Sequence, residues 1–316
     1  MSAEQKKTST EEQTYRLRLG LLSLVAAIVT IGLKFQAYHL TGSIGLFSDA
    51  VESTANLVAA LSALFALWYA ARPADQTHHY GHEKIEYFAS GVEGGLILVA
   101  AGVIAWTAVG RFWEPVMPES LGIGLALVTL ASVINLGVGY TLVRLGRRME
   151  SIVLEADGQH LLTDVWTTAA VGLGLLLVAW TRQPWLDPLL ALLVALNILR
   201  VGMDLLRRSF DGLMDRALTD RENARIRAAI EAELNPGMAY HALRTRRAGR
   251  QRFMDYHLLV PGDYPVARAH DREMAIGEAI RKIIPGIEIT AHIEPFEEPL
   301  AWNDHIAKTQ ARDVPG

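Results

Sequence analysis

Six long apolar segments follow one another through the first two thirds of the chain. They cover roughly residues 15–40, 46–71, 87–112, 121–143, 152–181 and 186–206. A helix needs about 20 mostly apolar residues to cross the hydrocarbon core of a bilayer. The pattern therefore predicts six transmembrane helices within residues 15–208, preceded by a polar cytoplasmic tail over residues 1–14.

Basic residues alternate between the two ends of these segments. The loops after segments one, three and five hold only Arg111 and Arg182, whereas the other flanks hold many more: Lys6, Lys7, Arg16, Arg18, Arg72, Lys84, Arg144, Arg147, Arg148, Arg207 and Arg208. Cytoplasmic flanks of membrane proteins carry the excess of lysine and arginine. The distribution predicts that both termini lie in the cytoplasm.

The hydrophobic period changes after about residue 209, and residues 209–316 hold half of all the charged residues in the chain. This part predicts two helices, at 220–234 with Thr219 as the cap and at 265–284, and three strands, at 239–246, 252–260 and 287–293. The α-β-β-α-β order predicts a small α+β domain of ferredoxin-like type over residues 209–299. Residues 300–316 are predicted to be a disordered tail.

The amino-acid composition limits the kinds of chemical site that the chain can contain. The chain has no cysteine, which excludes disulfides, thiolate metal sites and cysteine nucleophiles. It has ten histidines, so imidazole and oxygen ligands remain available. The formal net charge of −4 argues against nucleic acid as the main partner.

Two of the apolar segments carry polar pairs, which are costly inside a membrane and therefore indicate function. Glu52 and Asn56 in segment two are four residues apart, as are His160 and Asp164 in segment five. Side chains at this spacing lie on one helical face, so two facing pairs would form a four-ligand cage for a divalent cation. A satisfied interhelical hydrogen-bond network is the alternative, but two matching pairs favour metal.

With these pairs and the loop sequence from Asp75 to Glu86, which contains His78, His79 and His82, the chain resembles the cation diffusion facilitator family of divalent-metal/proton antiporters. The resemblance covers nearly the whole chain. It implies a homodimeric exporter in the inner membrane that works by alternating access. It also implies that Glu52, Asn56, His160 and Asp164 form the transport site.

The resemblance implies two further metal sites. One lies in the loop, at Asp75, His78 and His82, with His79 as a substitute ligand and a merely solvated loop as the alternative. The other, which stabilises the dimer, lies in the cytoplasmic domain; its predicted ligands are His241, His257, His270, His292 and Glu294. A packing role is the alternative for each of these histidines taken alone.

Two more positions are candidates for a functional role. Asp49 lies three residues before Glu52, close enough to be a relay or an alternative ligand; a charge that faces water at the start of the span is the alternative. Lys84 matches a lysine of the family that forms a salt bridge after span six, for which Asp211 or Asp215 is the partner. Such a bridge would serve as a hinge, and a plain surface charge is the alternative.

The expected activity is export of Zn(II) in exchange for protons, with His160 as the proton carrier. Family members usually have a second carboxylate where Asn56 stands, and an oxygen-rich site favours Mn(II) or Fe(II); Co(II) and Cd(II) also remain open. The alternatives to transport are a membrane metal sensor and an intramembrane hydrolase. The chain has no HExxH pair, so we do not expect an enzyme.

Overall fold

The computed structural model describes residues 3–41, 44–111, 122–181, 183 and 185–302. The chain divides into two compact units, Met1–Leu213 and Met214–Gly316. Over the described residues, the first unit consists of long helices: α1 (Ala3–Thr41), α2 (Ile44–Ala70), α3 (Ile85–Arg111), α4 (Gly122–Arg148), α5 (Ile152–Thr181) and α6 (Leu186–Leu213). The second unit is a small α/β domain. Helices and sheet thus follow each other along the chain in the predicted order.

Three described segments are long and apolar enough to cross a membrane, judged by length and composition. They are Glu11–Leu40 in α1, Ile85–Gly110 in α3 and Ala126–Arg148 in α4. Six crossings remain a prediction. Residues 112 and 121, the predicted ends of segments three and four, lie outside the described residues.

Two helices extend beyond their apolar segments. Helix α1 begins at Ala3, so the polar segment predicted as a tail continues the helix; its glutamate, glutamine and lysine side chains favour that conformation. Helix α6 continues to Leu213 because its polar residues find partners on neighbouring helices. Arg208 donates to Glu155 of α5 over 2.7 Å, and the Ser209 hydroxyl donates to the Tyr87 carbonyl of α3.

Glycines allow close packing of the helix pairs in this unit. Helix α3 packs against α6, and α4 packs against α5. A Cβ atom on Gly158 of α5 would lie 2.8 Å from the Gly139 carbonyl oxygen of α4, and a Cβ on Gly139 would lie 3.0 Å from the Gly158 carbonyl oxygen. The two backbones therefore touch directly just before His160, which fixes the position of this part of α5.

The second unit contains α7 (Asp220–Glu233), β1 (Ala239–Ala248), β2 (Gln251–Val260), α8 (Val266–Ile283) and β3 (Glu288–Pro295). Strand β2 lies between an antiparallel β1 and a parallel β3. Residues of both helices and of β2 form the core: Ile226, Ile230, Met254, Tyr256, Leu258, Ile276 and Ile280 are all buried. The predicted α-β-β-α-β domain is confirmed.

Local signals fix two details of this domain. Thr219 caps α7 in a capping box with Glu222, as predicted from the sequence. Burial alone would raise the pKa of Glu222, but hydrogen bonds from the hydroxyl and amide of Thr219 lower it below its ordinary value. In β1, the pairing with β2 shifts register between His241 and Arg244, and Ala242 adopts a positive φ of 52° at this bulge.

A short 3-10 helix, Pro299–Trp302, begins the segment that was predicted to be disordered. The Trp302 indole N–H donates to the Phe296 carbonyl over 2.9 Å, and its ring packs edge-on against the Phe296 ring. These aromatic contacts give the segment a structure that its polar sequence does not indicate. Residues 303–316 of the predicted tail lie outside the described residues.

Candidate metal centres

The first candidate site lies among α1, α2, α4 and α5. Six buried polar side chains meet there, and we call them the buried polar centre: Lys34, Ser53, Asn56, Asn135, His160 and Asp164. Asn56, His160 and Asp164 are three of the four ligands predicted for the transport site. Lys34, Ser53 and Asn135 were not predicted.

The Oδ2 atom of Asp164 is the point at which these side chains meet. It accepts hydrogen bonds from Asn56 Nδ2 over 2.5 Å and from Asn135 Nδ2 over 3.3 Å. It also forms a salt bridge of 3.3 Å with Lys34 Nζ, which donates to Ser53 Oγ over 2.6 Å. One carboxylate oxygen thus holds together residues from four helices that are distant in sequence.

Other polar atoms of the centre lack partners. Neither ring nitrogen of His160 has a hydrogen-bond partner among the described residues, although the side chain is buried. The same holds for the amide oxygen of Asn135. Buried polar atoms are nearly always satisfied, so these three atoms indicate that the centre binds something further. Imidazole nitrogen and amide oxygen are both metal-ligand atoms.

Glu52 and Asp49 belong to α2, but their side chains lie outside what the structure describes. The neighbouring Ser53 and Asn56 identify the face of α2 that meets the centre. Asp49 precedes Ser53 by four positions and Glu52 precedes Asn56 by four, so either residue can share that face. Whether Glu52 ligates stays a prediction.

The second candidate site is the loop between α2 and α3. The ligand atoms of Asp75, His78 and His82 lie within 4.8 Å of one another. His82 Nε2 is 3.3 Å from Asp75 Oδ2, and His78 Nδ1 is 3.4 Å from Asp75 Oδ1. His79 is exposed and does not belong to this group. The geometry therefore selects His78 from the adjacent pair.

Local hydrogen bonds fix the conformation of this loop around Asp75. Asp75 Oδ1 accepts from the Thr77 hydroxyl, the Thr77 amide and the His78 amide, each over 2.8 Å. These bonds hold the pKa of Asp75 well below its usual value, so the carboxylate is ionised. Gly81, at a φ of 82°, makes the turn that brings His82 back towards Asp75. The buried His82 ring packs edge-on against Tyr69 at 4.8 Å.

The third candidate site is a cluster on the sheet of the second unit. Cross-strand pairing places His241 of β1 opposite His257 of β2, and His257 opposite His292 of β3. Glu294 follows His292 by two residues, on the same face of β3. It lies 3.0 Å from His241, 3.2 Å from His257 and 3.5 Å from His292. We call these four residues the histidine row.

Glutamate reaches all three imidazoles, so the length of Glu294 suits this position. Trp302 stacks over His241 with 6.2 Å between ring centroids and shields one side of the row. Within the described part of the chain, the ligand atoms of His241, His257 and Glu294 lie within 4.8 Å of one another, whereas the exposed His292 and the exposed His270 of α8 do not belong to this converging group. One chain alone therefore does not bring the predicted His270 ligand to the row.

The predicted hinge residues have partners within their own units. Lys84 Nζ donates to the Leu213 carbonyl over 3.5 Å. Asp215 accepts from Arg246 over 3.3 Å and, like Ala242, has a positive φ. The salt bridge between Lys84 and Asp211 or Asp215 stays a prediction.

Lys34 is one of the residues of the centre that were not predicted, but the sequence contained a usable signal for it. Lys34 is one of only three charges between Arg18 and Arg72, the others being Asp49 and Glu52. A lone lysine amid an apolar segment requires a partner, and this requirement indicates a contact with another helix. Glu93 of α3 was missed as well; it is fully buried, and its carboxylate oxygens have no hydrogen-bond partner among the described residues.

Two family models match the chain. The cation efflux transmembrane domain matches residues 20–214, and the cytoplasmic domain of the cation efflux protein matches residues 218–296. Together they cover most of the chain and both of its units. The resemblance inferred from the sequence is confirmed.

Individual relatives agree with these matches. An uncharacterized transporter, sll1263, of Synechocystis sp. is 45% identical over 283 residues, which is 90% of this chain and 91% of that protein. The cation-efflux pump FieF of Shewanella oneidensis is 30% identical over 292 residues, or 92% of this chain and 98% of that protein. A solved chain of CzrB is 38% identical but covers 25% of this chain and 96% of that one; its TM-score of 0.24 is too low to support a shared fold.

Proposed function

Because the chain belongs to the cation diffusion facilitator family, we propose that it exports a divalent metal cation, in the first place Zn(II), across the cytoplasmic membrane in exchange for protons. Six spans and two cytoplasmic termini belong to this proposal. So does a homodimer, in which His270 would reach the histidine row of a second copy. The match to a cytoplasmic domain of this family supports such a dimer.

The observation that carries the proposal is the buried imidazole of His160. Both of its nitrogens lack partners among the described residues, and Asp164 lies one helical turn away. A divalent cation would take one nitrogen as a ligand and the adjacent carboxylate as its counter-charge. The unpartnered amide oxygen of Asn135 offers another ligand.

The same residues support exchange for protons. Metal binding needs a neutral imidazole and an ionised carboxylate, so metal and proton compete for His160 and Asp164. Asn56 presents its amide nitrogen to Asp164, and rotation of the amide by 180° would turn its oxygen to the cation instead. The centre can therefore alternate between a hydrogen-bonded and a metal-binding arrangement.

A second carboxylate would complete the charge balance for a divalent ion, and α2 offers two. Glu52 is the family-matched position, and Asp49 shares a helical face with Ser53, which contacts Lys34. Replacing each by alanine separates them. The one whose loss abolishes flux supplies the carboxylate, and the other variant should retain flux.

Mn(II) or Fe(II) is the alternative substrate. His160 is the one imidazole among the described residues of the centre, and the remaining donors are oxygen atoms of Asn135 and Asp164, with Asn56 after rotation. Such a set suits harder ions better than a site with two or more histidines. Uptake of Zn(II), Mn(II) and Fe(II) into vesicles under identical pH gradients ranks the three.

The deciding experiment is reconstitution of the full chain in liposomes with a pH gradient. Asp164→Ala and His160→Ala should each abolish metal flux. His39→Ala is the matched control, because His39 is an exposed histidine of α1 outside the centre, and it should transport normally. Wild-type flux in both site variants would refute the assignment.

A membrane sensor without transport is the competing proposal, and the histidine row is the observation in its favour. Combined replacement of His241, His257 and His292 by alanine tests it. If the chain is a transporter regulated by the row, flux persists with altered dependence on metal concentration. Absence of flux in the wild-type protein, with metal binding intact, would favour the sensor.

A further inference from the structure

A lysine contacts a predicted metal ligand at the centre. Lys34 is 2% exposed and lies on α1, which contributes no predicted ligand. Its ammonium group lies 3.3 Å from Asp164 Oδ2 and donates to Ser53 Oγ over 2.6 Å. The protein thus already supplies a cation to the carboxylate that the transported cation is proposed to bind.

Lys34 alters the charge balance of the site. Glu52 and Asp164 together match the two positive charges of a metal ion, but Lys34 offsets one of their negative charges. A metal ion bound to Asp164 Oδ2 would then lie within a few ångströms of the ammonium, and like charges at such a distance in a buried site repel strongly. The metal ion and the lysine ammonium therefore cannot both bind Asp164 Oδ2 at the same time.

A second buried ion pair of α1 shows what a purely structural pair looks like in this protein. Arg16 pairs with Glu86 of α3 and also donates to Ser151, and Ser151 in turn donates to Glu86. Both carboxylate oxygens of Glu86 are thereby engaged. The unpartnered atom of the Arg16 pair among the described residues is Arg16 Nε, a donor that cannot bind a cation, whereas the atoms unpartnered beside the Lys34 pair are the His160 nitrogens and the Asn135 amide oxygen, which can.

We infer that Lys34 is a built-in competitor of the transported metal: its ammonium neutralises Asp164 when the site holds no metal and is displaced when the metal binds. This inference rests on the proposed function. Lys34 then lowers metal affinity, which favours release, and removes the cost of a bare carboxylate in the membrane while the empty transporter changes conformation. Ser53 is the second anchor that keeps the ammonium in place.

The test separates the effect of the charge at position 34 from the effect of the side chain's size and shape. Lys34→Met and Lys34→Gln remove the charge, and glutamine can still hydrogen-bond to Asp164 and Ser53 if methionine prevents folding. Lys34→Arg keeps the charge. Thr30→Ala is the packing control, since Thr30 is buried one turn earlier on α1 and its hydroxyl donates to the nearby Ala27 carbonyl of the same helix. All variants carry His82→Ala, His241→Ala, His257→Ala and Glu294→Ala, so that the ligand sets of the other two candidate sites are removed.

Zn(II) binding and transport are then measured on the full chain. The neutral variants should bind Zn(II) about tenfold more tightly, which is at the lower end of the coupling measured for close buried charges. They should lose several-fold in net proton-driven export but keep Zn(II)–Zn(II) exchange, because exchange does not require the empty transporter to change conformation. Thr30→Ala should bind and transport as the parent does, and Lys34→Arg should show no gain in Zn(II) affinity, because it keeps the competing charge.

The outcomes separate the two proposals. Unchanged affinity in both Lys34→Met and Lys34→Gln would overturn the inference, as would a Lys34→Arg variant that behaves like the neutral ones. Asp164→Ala in the same background tests the proposed function itself. If Asp164→Ala leaves Zn(II) binding intact, the proposed function fails; if it abolishes binding while Lys34 variants change nothing, only the role of Lys34 fails.

Discussion

The buried polar centre and the histidine row both gather imidazole and carboxylate groups, but they are assembled in different ways. The centre draws residues from four helices, and its geometry depends on how those helices pack. The row lies across three paired strands, and backbone hydrogen bonds set its spacing. Helix packing can change during transport, whereas strand register cannot change without breaking the sheet. A transport site is therefore better placed among helices, and a stable sensing site on a sheet.

The comparison predicts the largest effect for a substitution between α4 and α5. Gly158→Ala places a Cβ 2.8 Å from the Gly139 carbonyl oxygen, so we expect a loss of about 2–3 kcal/mol in stability. Thermal unfolding in detergent measures it. Gly95→Ala is the control, because a Cβ there meets no atom of the described residues within 4 Å, and it should stabilise by up to about 1 kcal/mol. Equal stability of the two variants would contradict close α4–α5 packing.

The next effect concerns the row. Glu294 lies against three histidines, so Glu294→Ala should weaken metal binding there about 10- to 100-fold. Titration uses the full chain with Asp164→Ala and His82→Ala, so that only the row contributes. Glu288→Ala, an exposed glutamate at the start of β3, should bind as the parent does. A small effect of Glu294→Ala would mean that the three imidazoles suffice.

A smaller effect is expected at the N-terminus of α7. Thr219→Ala removes the half of the capping box in which the Thr219 hydroxyl accepts from the Glu222 amide, and should cost about 1 kcal/mol. Hydrogen exchange of the α7 amides measures this locally, in the second unit. The centre should transport as before, and a loss of flux would show that the two regions are more strongly coupled than their separate folding suggests.

The pH dependence of the same helix follows from Glu222. Its pKa is lower in the folded state than in the unfolded chain, so its contribution to stability is present above the unfolded pKa. That contribution is lost as pH falls through the folded pKa. Glu222→Gln should abolish this part of the acid destabilisation of α7, whereas Glu233→Gln, at the other end of the helix, should not. Hydrogen exchange of α7 as a function of pH provides the measurement.

The smallest predicted effect is a gain in stability. Ala242 adopts a positive φ beside His241, and glycine takes this conformation without strain. Ala242→Gly should stabilise β1 by about 0.5 kcal/mol, while Ala239→Gly, in regular pairing, should destabilise it by about 0.5–1 kcal/mol. If Ala242→Gly weakens metal binding instead, the bulge holds His241 in its ligating position.

Sequence patterns predicted most of the elements because each depends on local properties. Apolar length indicated the long helices, period and turn residues gave the α-β-β-α-β order, and Thr219 marked the start of α7. The ends of α1 and α6 were missed because polar residues continue both helices. For α6, the partners that stabilise this extension are Glu155 and Tyr87, on other helices.

The sequence predicted part of the buried polar centre, because some of its residues follow a local helical spacing. His160 and Asp164 form a pattern within one helix, and Asn56 was recognised by its spacing from Glu52. Lys34, Ser53 and Asn135 join the centre through contacts between helices, which helical spacing does not contain. The Lys34–Asp164 pair spans 130 positions along the chain. The one sign in the sequence was the lone charge of Lys34 within an apolar segment, which requires a partner elsewhere in the chain.

The pairing of the three strands has a consequence for the folding of the second unit. Side chains alternate between the two faces of a strand, so a slip of β3 by one position would turn His292 and Glu294 away from His241 and His257. Metal retained by the row would then report correct pairing of all three strands.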